Sequence, residues 1–267
     1  MSILSDKSIA ARCIFPDKIL DMPHFLKLQE TTPMPDVYYP DPMQRIRARK
    51  AHDEHLAKLA MRSPSQEERE SFVPMIEPFL SELIRKVEDR NMYGGKLQVS
   101  ERKVISYGSS SYGYDARLAR EVKIFSNTNA TIIDPKRLSQ HADQCLVNAV
   151  ILKDEEGAEY FILPPNSYAL GYTVEYFRMP RDITSIVLGK STYARAGLQV
   201  NATPIEAGFE GTVVLELANS TSLPMRVYID EGIAQFLFFE GDGPCNVSYS
   251  DRGGKYQGQT GLELSKV

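Results

Sequence analysis

Apolar and polar positions divide the chain into three textures. Residues 16–42 carry Pro16, Pro23, Pro33, Pro35, Pro40 and Pro42, which forbids long helices and central strands and predicts extended or irregular chain. From 42 to 63, Arg45, Arg47, Arg49, Lys50, Lys58 and Arg62 outnumber Asp53 and Glu54, with Ile46, Leu56 and Leu59 loosely spaced between them. That pattern predicts a surface helix with a basic, solvated face. Over residues 74–90, Met75, Ile76, Phe79, Leu80, Leu83, Ile84 and Val87 recur at helical spacing, and Gly94-Gly95 follows as a stop, so a second helix is expected. After Val104 short β-rich runs separated by turn residues take over, at 131–133, 146–152, 160–163, 167–176, 183–188, 212–218, 225–229 and 234–239. Many short, closely spaced strands predict a mainly β fold, a sandwich, jelly roll or barrel, with a few helices gathered near the N-terminus.

Composition narrows the function classes. The 267 residues hold 31 Lys+Arg against 35 Asp+Glu, a formal net charge of −4. A general affinity for nucleic acid is not expected from such a chain, and any polyanion must be held by a few local cations. Cys13, Cys145 and Cys245 are few, odd in number and far apart, which fits neither a disulfide framework nor a CxxC metal site and predicts a reducing, cytoplasmic setting. The opening residues lack the apolar run of a secretory signal, and no stretch is long and apolar enough for a membrane span. Neither membrane nor nucleic acid is an expected partner.

Three familiar motifs fail on inspection. Gly189-Lys190-Ser191-Thr192 ends like a phosphate-binding P-loop, but the first glycine of that motif would fall on Thr184. His52-Asp53-Glu54 and Pro244-Cys245 supply pieces of the zinc nucleobase-deaminase signature, yet Ser248 stands where the second thiolate is required. His52 and His55 share a helical face, but the pattern places no third ligand beside them. No zinc site is expected.

Four segments concentrate useful side chains: 109–118, 188–197, 201–219 and 249–261. In the third, strand alternation puts Val213, Leu215 and Leu217 on one face and Thr212, Val214, Glu216 and Ala218 on the other. Alternation alone allows Glu216 to be a wet-face carboxylate; flanked by Val214 and Ala218, it also sits in the partly desolvated setting that raises a carboxyl pKa into the general-base range. The fourth segment is glycine-spaced and cationic, and reads as a lid near a polyphosphate.

The strings SSYGYDARL, DPK at 134–136, PPNSYAL, TVEYFRMPRD, LGKSTYARAGLQVNATPIEAGFEGTVVLELAN, EGIAQFLF and SYSDRGGKYQGQTG together closely resemble the bacterial dCTP deaminases of the dUTPase-like superfamily, in order, from about residue 71 to the end. ILSDKSI resembles the family's N-terminal start. The resemblance therefore implies a start at 1–14, an inserted Pro-rich and basic helical excursion at 15–70, and a deaminase-like domain at 71–267 with a C-terminal lid tail at 249–267. It implies a dUTPase-like distorted β-barrel or jelly roll, a homotrimer with active sites between subunits, and zinc-independent hydrolysis of dCTP to dUTP and ammonia, supplying dUTP for thymidylate synthesis. Mg²⁺ would arrive with the triphosphate rather than on protein side chains, and dTTP would act as a feedback inhibitor.

By the same resemblance Glu216 is the general base, while Ser191 and Arg195 complete the water site and hold the carboxylate. Lys190 and Thr192 fall on phosphate-contacting positions, although a lysine lacks the bidentate fork of the arginine other members carry at 190. Glu206 would meet the sugar 3′-hydroxyl, and Phe209 would pack on the deoxyribose. Gln235, Tyr249, Lys255 and Gln259 would contact the polyphosphate and tail. Two other readings remain open at this stage: a dUTP diphosphatase or bifunctional deaminase/diphosphatase on the same scaffold, and a nucleotide-sensing regulatory protein.

Overall fold

The structure is a computed structural model and describes residues 2–14, 19–20, 22–32, 42–93 and 96–267. The chain divides into two compact units, one of Met1–Cys13 with Pro74–Val267 and one of Ile14–Val73. In chain order the first unit begins with β1 (Ser2–Ile3) and α1 (Asp6–Ala10); the second unit contains β2 (Ile19–Leu20), α2 (Met22–Thr31), α3 (Pro42–Leu59), β3 (Met61–Arg62) and α4 (Gln66–Glu70). The first unit resumes with β4 (Ile76–Glu77), β5 (Leu83–Tyr93), β6 (Lys96–Ser110), β7 (Gly113–Arg117), β8 (Lys123–Phe125), α5 (Ala142–Cys145), β9 (Leu146–Asn148), β10 (Leu152–Lys153), β11 (Glu159–Leu163) and β12 (Tyr168–Arg178). It ends with β13 (Ile183–Gly189), α6 (Ser191–Arg195), β14 (Leu198–Asn201), β15 (Glu210–Asn219), β16 (Met225–Tyr228) and β17 (Gly232–Glu240).

The first unit is mainly β, as the run of short strands predicts. One six-stranded sheet runs β1-β17-β7-β6-β5 with β13 also on β17; the other runs β14-β15-β12-β8-β9 with β4 also on β12; a three-stranded sheet runs β10-β11-β16. Their inner faces meet in an aromatic core, where Phe177 of β12 stacks on Phe236 of β17 with ring centroids 4.5 Å apart. Such a pair adds about 0.5–1.5 kcal/mol beyond the area it buries. Arg117 of β7 donates from Nε to the fully buried Glu175 of β12 at 2.8 Å, joining the two large sheets through a paired charge.

The helix expected over 74–90 is not there. Residues 76–77 pair with β12, and Leu83–Tyr93 forms one arm of a hairpin with β6. Pro78 inside that window removes a helical hydrogen bond, and the β-branched Ile84 and Val87 favour a strand, so the spacing of apolar residues was coincidental. Gly94-Gly95 lies outside the described residues. The strand expected at 131–133 is absent, Ile132 and Ile133 being exposed loop residues, and the run at 146–152 is split into β9 and β10.

In the second unit the basic helix is present as α3, and residues 22–31, expected to be extended or irregular, form the ten-residue helix α2; Pro23 falls in its first turn, where no helical hydrogen bond is lost. Gln29 of α2 donates to Asp53 of α3 at 3.3 Å, and a ring nitrogen of His52 lies 2.9 Å from the Thr32 carbonyl oxygen. Leu56 is buried, whereas Ile46 and Leu59 are exposed. Serine and glutamate three apart start α4, with Ser65 and Glu68 forming a reciprocal capping box.

Candidate active site

Glu216 occupies the middle of β15, and strand register decides its neighbours. Asn201 of β14 stands directly opposite on one side and Leu170 of β12 on the other. Val213, Leu215 and Leu217 point into the core, leaving the Glu216 carboxyl half-buried on the opposite face. Asn201 Nδ2 donates to Glu216 Oε2 at 3.4 Å. Burial without a cation pushes the carboxyl up to about 7.

The carboxyl faces a cavity of about 620 Å³ that Glu206, Phe209, Tyr249 and Gln259 also line. The C-terminal tail closes one side of it. Tyr249 meets Phe209 edge-on at 5.6 Å; Gln259 takes the Thr212 N–H on its carbonyl at 2.9 Å and donates its own Nε2 to the Thr212 carbonyl at 2.5 Å. Gly211 permits this docking: at φ +149 it holds no side chain, and a Cβ there would stand 2.9 Å from Gln259 Cγ. Gln259 Oε1 is buried without a hydrogen-bond partner. Arg252 of the tail pairs with Glu206, and farther along Ser265 Oγ donates to the Pro135 carbonyl at 2.7 Å while Leu264 packs beside Leu138, Cys145 and Leu146. Among the described residues, no Lys, Arg or His lines this cavity.

The other expected site residues lie elsewhere in the same chain. Lys190 precedes α6 and turns inward, its ammonium 2.5 Å from Asp115 Oδ2, with both side chains at most one-tenth exposed. Burial pushes the Asp115 carboxyl up, against the pull of Lys190. Gln235, opposite Asp115 in register, donates to Ser110 Oγ at 3.3 Å. Ser191, Thr192 and Arg195 are exposed on α6. Thr192 borders a separate cavity of about 690 Å³ with Arg85, Lys86, Arg102 and Lys103. Lys255 is exposed and reaches the Lys266 carbonyl at 3.3 Å. One chain therefore gathers Glu216, Glu206, Phe209, Tyr249 and Gln259, and leaves Ser191, Arg195, Lys190, Thr192, Gln235 and Lys255 outside that cavity.

Sequence reasoning assigned no role to Asn201 or Asp115, though both lie in segments it singled out. Their partners are cross-strand or inter-segment, which alternation within one strand does not reveal. Among the described residues no group of three or more His, Cys, Asp or Glu stands close enough together to hold a metal ion.

A mainly β unit with a desolvated glutamate in an aromatic, tail-closed cavity has the features of a small-molecule site with an acid–base group in it. The profile of the dCTP deaminase-like family matches residues 86–241, more than half of the chain. A dCTP deaminase of Burkholderia mallei (strain SAVP1) is 51% identical over 193 residues, spanning 72% of this chain and 91% of its own. That of Burkholderia thailandensis is 50% identical over the same shares. The crystal structure of a 2′-deoxycytidine 5′-triphosphate deaminase from Agrobacterium tumefaciens is a looser likeness, 20% identical with a TM-score of 0.38 over 50% of this chain and 40% of that one. The chain belongs to the dCTP deaminase-like family.

Proposed function

We propose that the protein hydrolyses dCTP to dUTP and ammonia, with Glu216 as general base. The observation that carries this reading is the Glu216 carboxyl, half-buried, paired with no cation among the described residues of its own chain and pushed up to about 7. A carboxylate with that proton affinity can take a proton near neutral pH and return it within one turnover. Glu216 takes a proton from water as the water oxygen bonds to C4 of cytosine, and passes it to N3. It then takes the proton of the new C4 hydroxyl and delivers it to the amine, so that the C4–N bond breaks, the C4 carbonyl forms and ammonia leaves. Phe209 offers an aromatic face to the sugar, and Glu206 a hydrogen-bond acceptor for its 3′-hydroxyl.

The cavity holds Glu206, Glu216 and Glu263 and no cation, so a polyanionic triphosphate needs positive charge from outside it. When α6 is presented by a second copy, the Arg195 guanidinium and Ser191 hydroxyl can complete the water site and the Thr192 hydroxyl can donate to the phosphates, with the exposed Lys255 ammonium of the tail as a cation. Ile3, Ile186 and Leu188 are exposed on one face of the sheet that carries α6, beside Leu237 and Phe239 in register, an apolar surface suited to contact between copies. This supports a homotrimer with sites completed across subunits. Mg²⁺ would be held by the triphosphate oxygens and would supply charge neutralisation there.

Incubation with dCTP and Mg²⁺ tests the reading: ammonia and dUTP are the expected products. Pyrophosphate from dUTP with no ammonia from dCTP would replace it with the diphosphatase, release of both would make the enzyme bifunctional, and tight nucleotide binding without turnover would make it a sensor.

A further inference from the structure

We propose that Asn201 is a positioning residue for Glu216, holding Oε2 through its side-chain amide so that Oε1 is the oxygen that takes the proton from the attacking water. The inference rests on the deaminase reading of the cavity and adds a residue to it. Its ground is the strand register. Asn201 and Glu216 are directly opposed in the β14–β15 pair, so their side chains rise from the same face as near neighbours. On the far side of Glu216 the directly opposed residue is Leu170, which offers no hydrogen bond. The carboxyl thus has one polar wall and one apolar wall, and Asn201 is the polar one.

Other groups around the carboxyl do not compete for this role. From β12 comes the Tyr168 phenol, whose pKa is raised by burial and by the Glu216 charge, but whose hydroxyl is not hydrogen-bonded to that carboxyl. Glu206 is paired with Arg252, and Glu263 of the tail lies 2.9 Å from Lys266 Nζ. Tyr249 OH accepts the Tyr256 N–H, and Tyr256 OH accepts the Lys266 N–H. Among the described residues Asn201 is the only side chain that donates to Glu216.

The chemistry of an amide fits the position. A cation in place of Asn201 would pull the carboxyl pKa down, against the effect of burial. A leucine would leave both oxygens equivalent and unoriented. A neutral N–H donor fixes one oxygen and tempers the effect of burial without cancelling it. At 3.4 Å the bond is long, as catalytic hydrogen bonds commonly are before substrate binds and tightens them.

The test is a ¹³C NMR titration of the Glu216 carboxyl in the full-length protein, compared with Asn201→Leu and Asn201→Ser. Losing a donor worth about 0.5–1.5 kcal/mol should raise the carboxyl pKa in Asn201→Leu by about 0.5–1 pH unit. The acid limb of kcat/KM for dCTP should move up by the same amount. At pH 7 turnover should fall about 3–10-fold, with KM changed less than twofold, because the loss is of a correctly ionised and oriented base rather than of binding. Asn201→Ser, which keeps a short donor, should recover part of both effects. A Glu216 titration that does not move in Asn201→Leu overturns the proposal, whatever the rate. Since the titration is read on free protein, a wild-type enzyme that released no ammonia would overturn the deaminase reading separately.

Discussion

Glu216 and Asp115 are both carboxylates on interior strands, and the difference between them is a cation. Asp115 is the more deeply buried, with its side chain 6% exposed, yet Lys190 stands 2.5 Å away and pulls against the rise that burial causes. Glu216 is only half-buried but has a single amide for company, and its carboxyl is pushed up to about 7. Burial by itself therefore does not mark the reactive group. A buried carboxylate with its counter-ion holds structure, in this case the start of α6; one without a counter-ion is ready to exchange protons.

Exchanging the proposed base for an amide breaks the comparison at its strongest point. Glu216→Gln keeps size and hydrogen bonding but cannot accept a proton, so kcat for dCTP should fall on the order of 10²-fold or more while nucleotide binding persists. Binding measured by calorimetry beside single-turnover rates separates the two. If affinity fell in step with rate, Glu216 would be a structural carboxylate like Asp115.

The paired carboxyl should answer differently, with stability moving before activity. Asp115→Leu strands the Lys190 ammonium in a site one-tenth exposed, and an uncompensated buried charge costs about 3–5 kcal/mol. Removing both charges in Asp115→Leu/Lys190→Met should restore most of that, as read by urea unfolding. A double variant no more stable than the single one would show that the pair contributes more than charge compensation.

Much of this contrast was legible in the text of the chain, but only the part that depends on a single strand. Alternation placed Glu216 on the face away from Val213, Leu215 and Leu217, and the short β-rich runs marked most of the first unit's strands. The failures share a physical cause. The window at 74–90 matched a helical period because Leu83, Ile84 and Val87 happen to fall at that spacing, while the chain's choice was made by Pro78 and by pairing with β6 and β12. Asn201 and Asp115 drew no attention because register and tertiary approach select their partners. Resemblance named Ser191 and Arg195, but in one chain they lie on exposed α6 outside the Glu216 cavity.

The finest contrast lies in how stability responds to pH. Glu216 has a folded pKa of about 7, above the ordinary glutamate value of 4.5. Between those values the folded protein holds more protons than the unfolded chain. The stabilisation of the protonated form is therefore fully present below about 4.5 and is lost as pH rises through about 7. Above that, the wild type carries a partly desolvated charge that Glu216→Gln lacks. The variant should accordingly melt higher than wild type at pH 8, by roughly 2–4 °C for each kcal/mol regained, and nearly level with it at pH 5. Solvent reaching the half-exposed carboxyl keeps the effect small. Melting curves at pH 5, 6, 7 and 8 check it, and a Tm difference independent of pH would mean that the carboxyl titrates at its ordinary value and resembles neither a base nor a buried charge.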